Sequence, residues 1–365
     1  MQITELHVQR DAFAHAQIFT REAPALAPGE ALLRIDKFAL TANNITYALA
    51  GDAIGYWKFF PCPDPFGIVP VWGFADVIES QCADLAIGTR VWGFLPFASH
   101  VIMAPRQIGP RGFIDGAAHR QALPEVYNRY VRTDGDPPEL TAIEDARCLL
   151  FPLFTTSYVL FDYLEDNAYF GAAQVLIGSA SSKTAFGLAD ILHRLAKPNV
   201  RVIGLTSRGN IGFVENLGIY DQVLTYEDVS QLDPAIATAF VDMSGDGPLT
   251  AALHSHFRDN IRAHIAVGIT HWEAVRVKKP REGAAPSFFF APGQIVKREA
   301  DWGPGVIMRK AQAECLDMAQ RAQANLAIHH ASGPQAIAAA YRAMVAGETP
   351  PHVGIMLSFR GDQRG

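Results

Sequence analysis

The sequence predicts a two-domain α/β protein in which a β-rich, partly closed barrel encloses a doubly wound parallel-sheet domain. Three observations carry this. Short β-branched segments broken by Gly and Pro fill the first hundred or so residues. Strand-like and helix-like runs then alternate over about 120 residues, the pattern of a parallel sheet. A chain of 365 residues is also long enough to bury two separate cores.

Taken in order, ALLRIDKFAL (31–40) alternates in strand fashion, and FGIVPVWGFADVIES (66–80) is rich in β-branched and aromatic residues. IGTRVWGF (87–94) reads as a turn feeding a strand, with SHVIMAP (99–105) as the next. Residues 106–147 mix Pro, Gly, Asp and Arg around Tyr127-Asn128-Arg129-Tyr130 and read as a surface excursion. CLLFPLFTTSYVLFDYLEDN (148–167) reads as a loop and then a helix. AAQVLIGSA (172–180) is a continuous apolar run, as a buried parallel strand requires, and KTAFGLADILHRLA (183–196) has helical spacing. VRVIGLTS (200–207) and GNIGFVENLG (209–218) repeat that pair, and QVLTYED, AFVDMSG (239–245) and IRAHIAVGIT (261–270) supply further strands. A proline- and tryptophan-rich stretch after 290 leads to helices at about 309–327 and 333–346. HVGIMLSF (352–359) is a lone strand, expected to return to the β domain. The expected boundaries are therefore 1–150 with 300–365 for the β domain, and 151–299 for the sheet–helix domain.

Composition narrows the function. A net charge of −6 with no basic run offers no footprint for nucleic acid or an anionic membrane. No apolar stretch reaches the roughly 18 residues that span a bilayer, and MQITELHVQRDAF has no apolar leader core, so a cytoplasmic protein is expected. The four cysteines are scattered without a CxxC pair, which argues against a disulfide framework and against a structural zinc lobe. His254, His256, His329 and His330 sit in polar or helical surroundings and read as surface residues.

The segment that carries chemistry is VLIGSASSKTAFGLA (175–189). A strand ends, the small residues Gly178, Ser179, Ala180, Ser181 and Ser182 follow, and a helix begins with Lys183 at hand. Small residues let backbone approach a pyrophosphate, and a helix N-terminus offers free N–H groups. The glycine fingerprint is incomplete, since Ser182 and Ala185 stand where glycines are common. A phosphate-cradling GxxxxGK[ST] loop is not matched, because GSASSKT is one residue short and lacks the glycine before lysine. The next strand ends Thr206-Ser207-Arg208, where a carboxylate would otherwise accept from an adenine ribose. Arginine and serine there suit a 2′-phosphate, so NADP(H) is the expected cofactor.

These segments, VLIGSASSKTAFGLADILHRL and VRVIGLTSRGNIGFVENLGIYDQVLTYED, resemble the Rossmann core of zinc-free medium-chain dehydrogenase/reductases, the quinone oxidoreductase and enoyl reductase branch. LTANNITYALAG (40–51), AIGTRVWGFLPFASHVIMA (86–104) and YRAMVAGETPPHVGIMLSF (341–359) are similar to that family's outer segments, so the resemblance spans nearly the whole chain, as a divergent subfamily. It implies a GroES-like β-barrel domain beside a Rossmann domain, an active-site cleft between them and a homodimer. It also implies NADPH-dependent reduction of a small-molecule substrate, a quinone or an activated carbon–carbon double bond. The alternatives are an acyl-thioester enoyl reductase and a non-catalytic NADPH-binding protein. Zinc-dependent relatives carry ligands where this chain has Leu40-Thr41-Ala42-Asn43 and Trp72-Gly73-Phe74, so no metal is expected. The cleft loop offers Asn43, Tyr47 and Tyr56, and a tyrosine near this point donates a proton in enoyl reductase relatives. Val267-Gly268 and Phe289-Phe290-Ala291 resemble the segments that flank nicotinamide.

Overall fold

A computed structural model describes residues 1–196, 200–267 and 282–360. The chain divides into two compact units, Met1–Leu149 with Leu326–Gly365, and Leu150–Asn325.

The first unit opens with β1 (Gln2–Gln9), β2 (Ala16–Glu22), β3 (Ala31–Leu40), helix α1 (Ala42–Leu49), β4 (Phe66–Gly67), β5 (Pro70–Ser80), β6 (Arg90–Pro96) and β7 (His100–Met103). β3 bonds antiparallel to β5 and β7, and β5 to β6, while β1 pairs with β2 and β4 in a small separate sheet. Alternation sends Leu33, Ile35, Val71, Ala75, Val91 and Leu95 into one apolar core. The stretch after 105 is structured, which corrects the surface excursion. β8 (Pro105–Gly109), β9 (Gly112–Asp115) and β10 (Arg129–Arg132) extend the large sheet outward from β6. Arg120 and Tyr130 there are each 1% exposed. Asp115 Oδ2 accepts from Arg120 at 2.6 Å, and the Tyr130 hydroxyl and Tyr127 carbonyl lie at 2.9 and 3.1 Å. Burial here rests on paired polar groups, which leave no apolar period to read.

After a short turn, α2 (Pro138–Thr141), helix α3 (Glu144–Asp166) runs unbroken where a loop was expected at 148. Pro152 lies inside it and removes one backbone bond, but Leu149, Leu150, Phe154, Val159, Leu160 and Leu164 are all buried along it. The second unit then follows: β11 (Gln174–Gly178), α4 (Lys183–Leu195), β12 (Arg201–Thr206), α5 (Ile211–Asn216), β13 (Gln222–Thr225), β14 (Thr238–Asp242), α6 (Gly247–Phe257), β15 (Ile261–Val267), β16 (Pro286–Phe289), α7 (Ala291–Trp302) and α8 (Val306–Ala322). The six strands are all parallel, in the order β13-β12-β11-β14-β15-β16. The direction of winding reverses between β11 and β14, the switch point of a Rossmann sheet. Gly187 lets α4 lie against α3, since a Cβ there would stand 2.6 Å from the Phe154 ring and 2.7 Å from Ser157 Oγ.

The chain ends in β17 (Ala327–Ser332), α9 (Pro334–Val345) and β18 (Val353–Ser358). β18 returns to β3, with Met356 opposite Ala39, as expected. It is not a lone strand, because β17 pairs with it in parallel. Helices α7 and α8 belong to the second unit, so its end lies at Asn325 rather than at 299. Among the described residues, no helix is long and apolar enough to cross a membrane.

Candidate functional site

The buried strand β11 delivers Gly178 to the switch point, and Ser179 then takes a left-handed backbone (φ 56°) that turns the chain. The Ala180 N–H donates to Leu205 of β12 at 3.0 Å and its carbonyl accepts from the Tyr220 hydroxyl at 3.0 Å. The Ser182 N–H donates to the Ser179 carbonyl at 2.8 Å, and Ser182 Oγ caps α4 by accepting from the Ala185 N–H at 3.3 Å. Lys183 opens the helix, whose first turn carries no acid, and burial pushes its ammonium down to about 8. A helix end of this kind favours an anion.

The neighbouring strand ends complete the rim of this loop. Thr206 closes β12 fully buried, with no hydrogen-bond partner for Oγ1 among the described residues. Ser207 and Arg208 follow it exposed, and Asn210 Nδ2 donates to Ser181 Oγ at 3.2 Å, tying the β12 turn to the β11 loop. The Thr225 hydroxyl, with Arg208 at longer range, holds the exposed Glu227 carboxyl below its usual range.

Asp242 at the end of β14 was not anticipated as a site residue, though an acid closing a buried strand is its signal. Its Oδ1 accepts from the N–H of Ser244 and Gly245 at 2.9 and 3.0 Å and from Ser244 Oγ at 2.7 Å. Its Oδ2 faces His264 Nε2 at 3.6 Å. Burial alone would raise this carboxyl, but His264, Ser244 and the backbone donors hold it below the ordinary range. His264 Nδ1 in turn meets His254 Nε2 at 2.9 Å, and His254 Nδ1 donates to the Glu282 carbonyl at 2.8 Å. His254 is therefore buried within a hydrogen-bonded chain and is not a surface residue. Val267 ends β15 beside Phe289 of β16, and Gly268 lies outside the described residues.

In the first unit the structure brings Asn43, Tyr47 and Tyr56 together, and adds residues that the sequence reading did not place there. Tyr47 and Tyr56 are both buried, with ring centroids 4.6 Å apart. Trp72 Nε1 donates to the Tyr47 oxygen at 3.1 Å, and Asn43 also contacts that oxygen. The Tyr56 and Tyr127 hydroxyls share a hydrogen bond of 3.0 Å, so the 106–147 segment contributes Tyr127 to this cluster. Burial, reinforced by the neighbouring phenols, pushes Tyr47, Tyr56 and Tyr127 well above the ordinary tyrosine range. Asn44, beside Asn43, is a structural residue: it accepts from the Thr41 N–H at 2.7 Å and donates to the Pro70 carbonyl at 2.8 Å. Among the described residues, no group of three or more His, Cys, Asp or Glu side chains forms a metal-holding cluster.

One unit is a Rossmann-type parallel sheet with a small-residue loop at its switch point, and the other is an antiparallel-rich β unit. The chain belongs to the family DUF2855, described as proteins of unknown function, whose model matches residues 38–350. No curated protein matches it in sequence. Among solved structures the fold is shared with CurA from Vibrio vulnificus in complex with NADPH (14% identity, TM-score 0.60, covering 99% of this chain and 100% of that one). It is shared with the CurK enoyl reductase (14%, 0.55, 98% and 99%). It is shared as well with the quinone oxidoreductase of Coxiella burnetii (14%, 0.52, 99% and 100%).

Proposed function

We propose that this chain is an NADPH-dependent reductase that works without zinc on a quinone or on a carbon–carbon double bond activated by a carbonyl. The observation that carries the reading is the loop at the β11/β14 switch point, where a ligand of a doubly wound sheet binds. The residues present fit a phosphorylated dinucleotide. The Ser179–Lys183 turn offers backbone N–H groups and a cation at a helix N-terminus. Thr206 holds a buried hydroxyl without a hydrogen-bond partner among the described residues, and Ser207 and Arg208 stand where a carboxylate would repel a 2′-phosphate. Val267 and Gly268 are proposed beside the nicotinamide. The structure of CurA with NADPH on the same fold supports the assignment, and the quinone oxidoreductase and enoyl reductase named above support the reaction class.

Hydride is the chemistry that a bound NADPH supplies; this chain's residues bind, orient and deliver the proton. Tyr47 and Tyr56 are proposed for that last task. Their raised values keep both phenols protonated, hence donors. Because indole N–H can only donate, Trp72 leaves the Tyr47 O–H proton for another acceptor. The four free thiols support a reducing, cytoplasmic setting; a homodimer is proposed as the working form.

Steady-state oxidation of NADPH against a panel of quinones and enones tests the reading. Saturable turnover is expected with at least one class, and no saturable NADPH binding at all would overturn it. Tyr47→Phe or Tyr56→Phe should lower enone turnover about a hundredfold with cofactor affinity intact, the usual scale of general-acid help. If both variants stay within about threefold of the parent, solvent supplies the proton and the quinone reading is favoured.

A further inference from the structure

We propose that the first unit carries a separate reactive centre in which Cys62 adds to carbon–carbon double bonds conjugated to a carbonyl, with His7 as its base and Glu5 positioning the imidazole. The proposal does not rest on the reductase reading. Glu5 and His7 are two residues apart on β1 and so point to the same face, both buried, at 5% and 4% exposure. Glu5 Oε2 lies 2.8 Å from His7 Nε2, and Arg21 of β2 holds Oε1 at 2.9 Å. Burial would raise the Glu5 carboxyl, yet the bonds from His7 and Arg21 hold it below the ordinary range, so it stays a carboxylate. A carboxylate only accepts, which places the ring proton on Nε2 and leaves Nδ1 to receive the Cys62 thiol proton, 3.4 Å from Sγ.

This is the order nucleophile, base, orienting acid, with the nucleophile partly exposed and the other two buried. Phe19 stacks on the imidazole, centroids 4.7 Å apart, and Phe66 lies 6.2 Å away. Phe19 is itself 43% exposed and offers a planar apolar seat for a conjugated electrophile. Burial first, and then Glu5 and Asp64 against the opposing Arg10 and Arg21, push the Cys62 thiol up to about 11. The resting form is therefore the thiol, and the base acts during attack. Sγ bonds the β-carbon, the π pair moves toward the carbonyl, and the thiol proton passes through His7 Nδ1 to the enolate carbon. The product is a thioether, with no oxidant consumed. The other cysteines lack such a partner among their described contacts: Cys82 donates to the Gly29 carbonyl at 2.9 Å, while Cys148 and Cys315 are buried.

The test uses the whole protein without NADPH and limiting N-ethylmaleimide, an alkene conjugated to carbonyls, with each cysteine read by peptide mass spectrometry. Cys62 should label at least about tenfold faster than Cys82, and His7→Gln or Glu5→Gln should slow Cys62 by about tenfold or more while Cys82 keeps its rate. The parent rate at Cys62 should change little between pH 7 and 9, whereas in His7→Gln it should climb with hydroxide, about tenfold per pH unit, as an unassisted thiol does. Equal rates at Cys62 and Cys82 in the parent overturn the proposal, as does an unchanged Cys62 rate in Glu5→Gln. Should His7→Gln misfold, seen as labelling of Cys148 and Cys315, the parent ratio and Glu5→Gln decide.

Discussion

Two side chains at the end of β12 differ in what they offer a ligand. Arg208 is exposed and competes with water, so its worth depends on meeting a matched anion. NADPH should bind more tightly than NADH by roughly 1.5–3 kcal/mol, the scale of a charge-assisted hydrogen bond. Arg208→Ala should erase most of that preference, on the order of ten- to a hundredfold by fluorescence titration; equal affinities in the parent would remove Arg208 from the role. Thr206 is the opposite case, a buried hydroxyl with no hydrogen-bond partner among the described residues. Removing an unsatisfied buried polar group is neutral or stabilising. Thr206→Val should thus hold or raise Tm while weakening NADPH severalfold, roughly 1 kcal/mol. A fall in Tm with cofactor affinity unchanged would mean that the hydroxyl serves the fold.

Among the elements, the end of β14 at Asp242 is linked through His264 in the middle of β15 and His254 of α6 to the Glu282 carbonyl. Asp242 is a charged acceptor in this run, and its carboxyl sits below the ordinary 3.8. A depressed carboxyl contributes stability at pH values above its unfolded value and loses that contribution as pH falls through the folded one. Asp242→Asn should therefore cost about 3 kcal/mol near neutrality, as removal of one partner from a buried polar pair does. In denaturation at stepped pH, the gap between parent and variant should close below about pH 4. A gap that stays constant down to pH 2 would show that the carboxylate charge contributes nothing. This chain of side chains is invisible in the sequence, because its members are brought together by parallel pairing across distant positions. The strands that hold it are legible, since Ala239-Phe240-Val241 of β14 and Ile265-Ala266-Val267 of β15 are short apolar runs of the kind that a sheet covered on both faces buries. β17 escapes notice for the converse reason: AIHHAS is largely solvent-facing and has no apolar alternation. α7 is disguised by its Pro292 and Gly293, which suit the first turn of a helix as well as a loop.

Over the whole molecule, fold class and cofactor loop can be read from local pattern, whereas the tyrosine cluster depends on the 106–147 segment, whose polar burial defeats periodicity. The return of β18 to β3 has its own consequence for biosynthesis. Leu40 and its neighbour Ile355 are made about three hundred residues apart, roughly a quarter of a minute to a minute of ribosomal elongation. During that interval β3 presents an unpaired edge, a template for wrong partners. The residues of the second unit, by contrast, form one uninterrupted stretch of chain. Limited proteolysis of nascent chains stalled at successive lengths should find 150–325 protected before 1–149; the reverse order would show that the early strands close without β18. A chaperone that shields the waiting edge would then serve this protein mainly while it is still tethered to the ribosome.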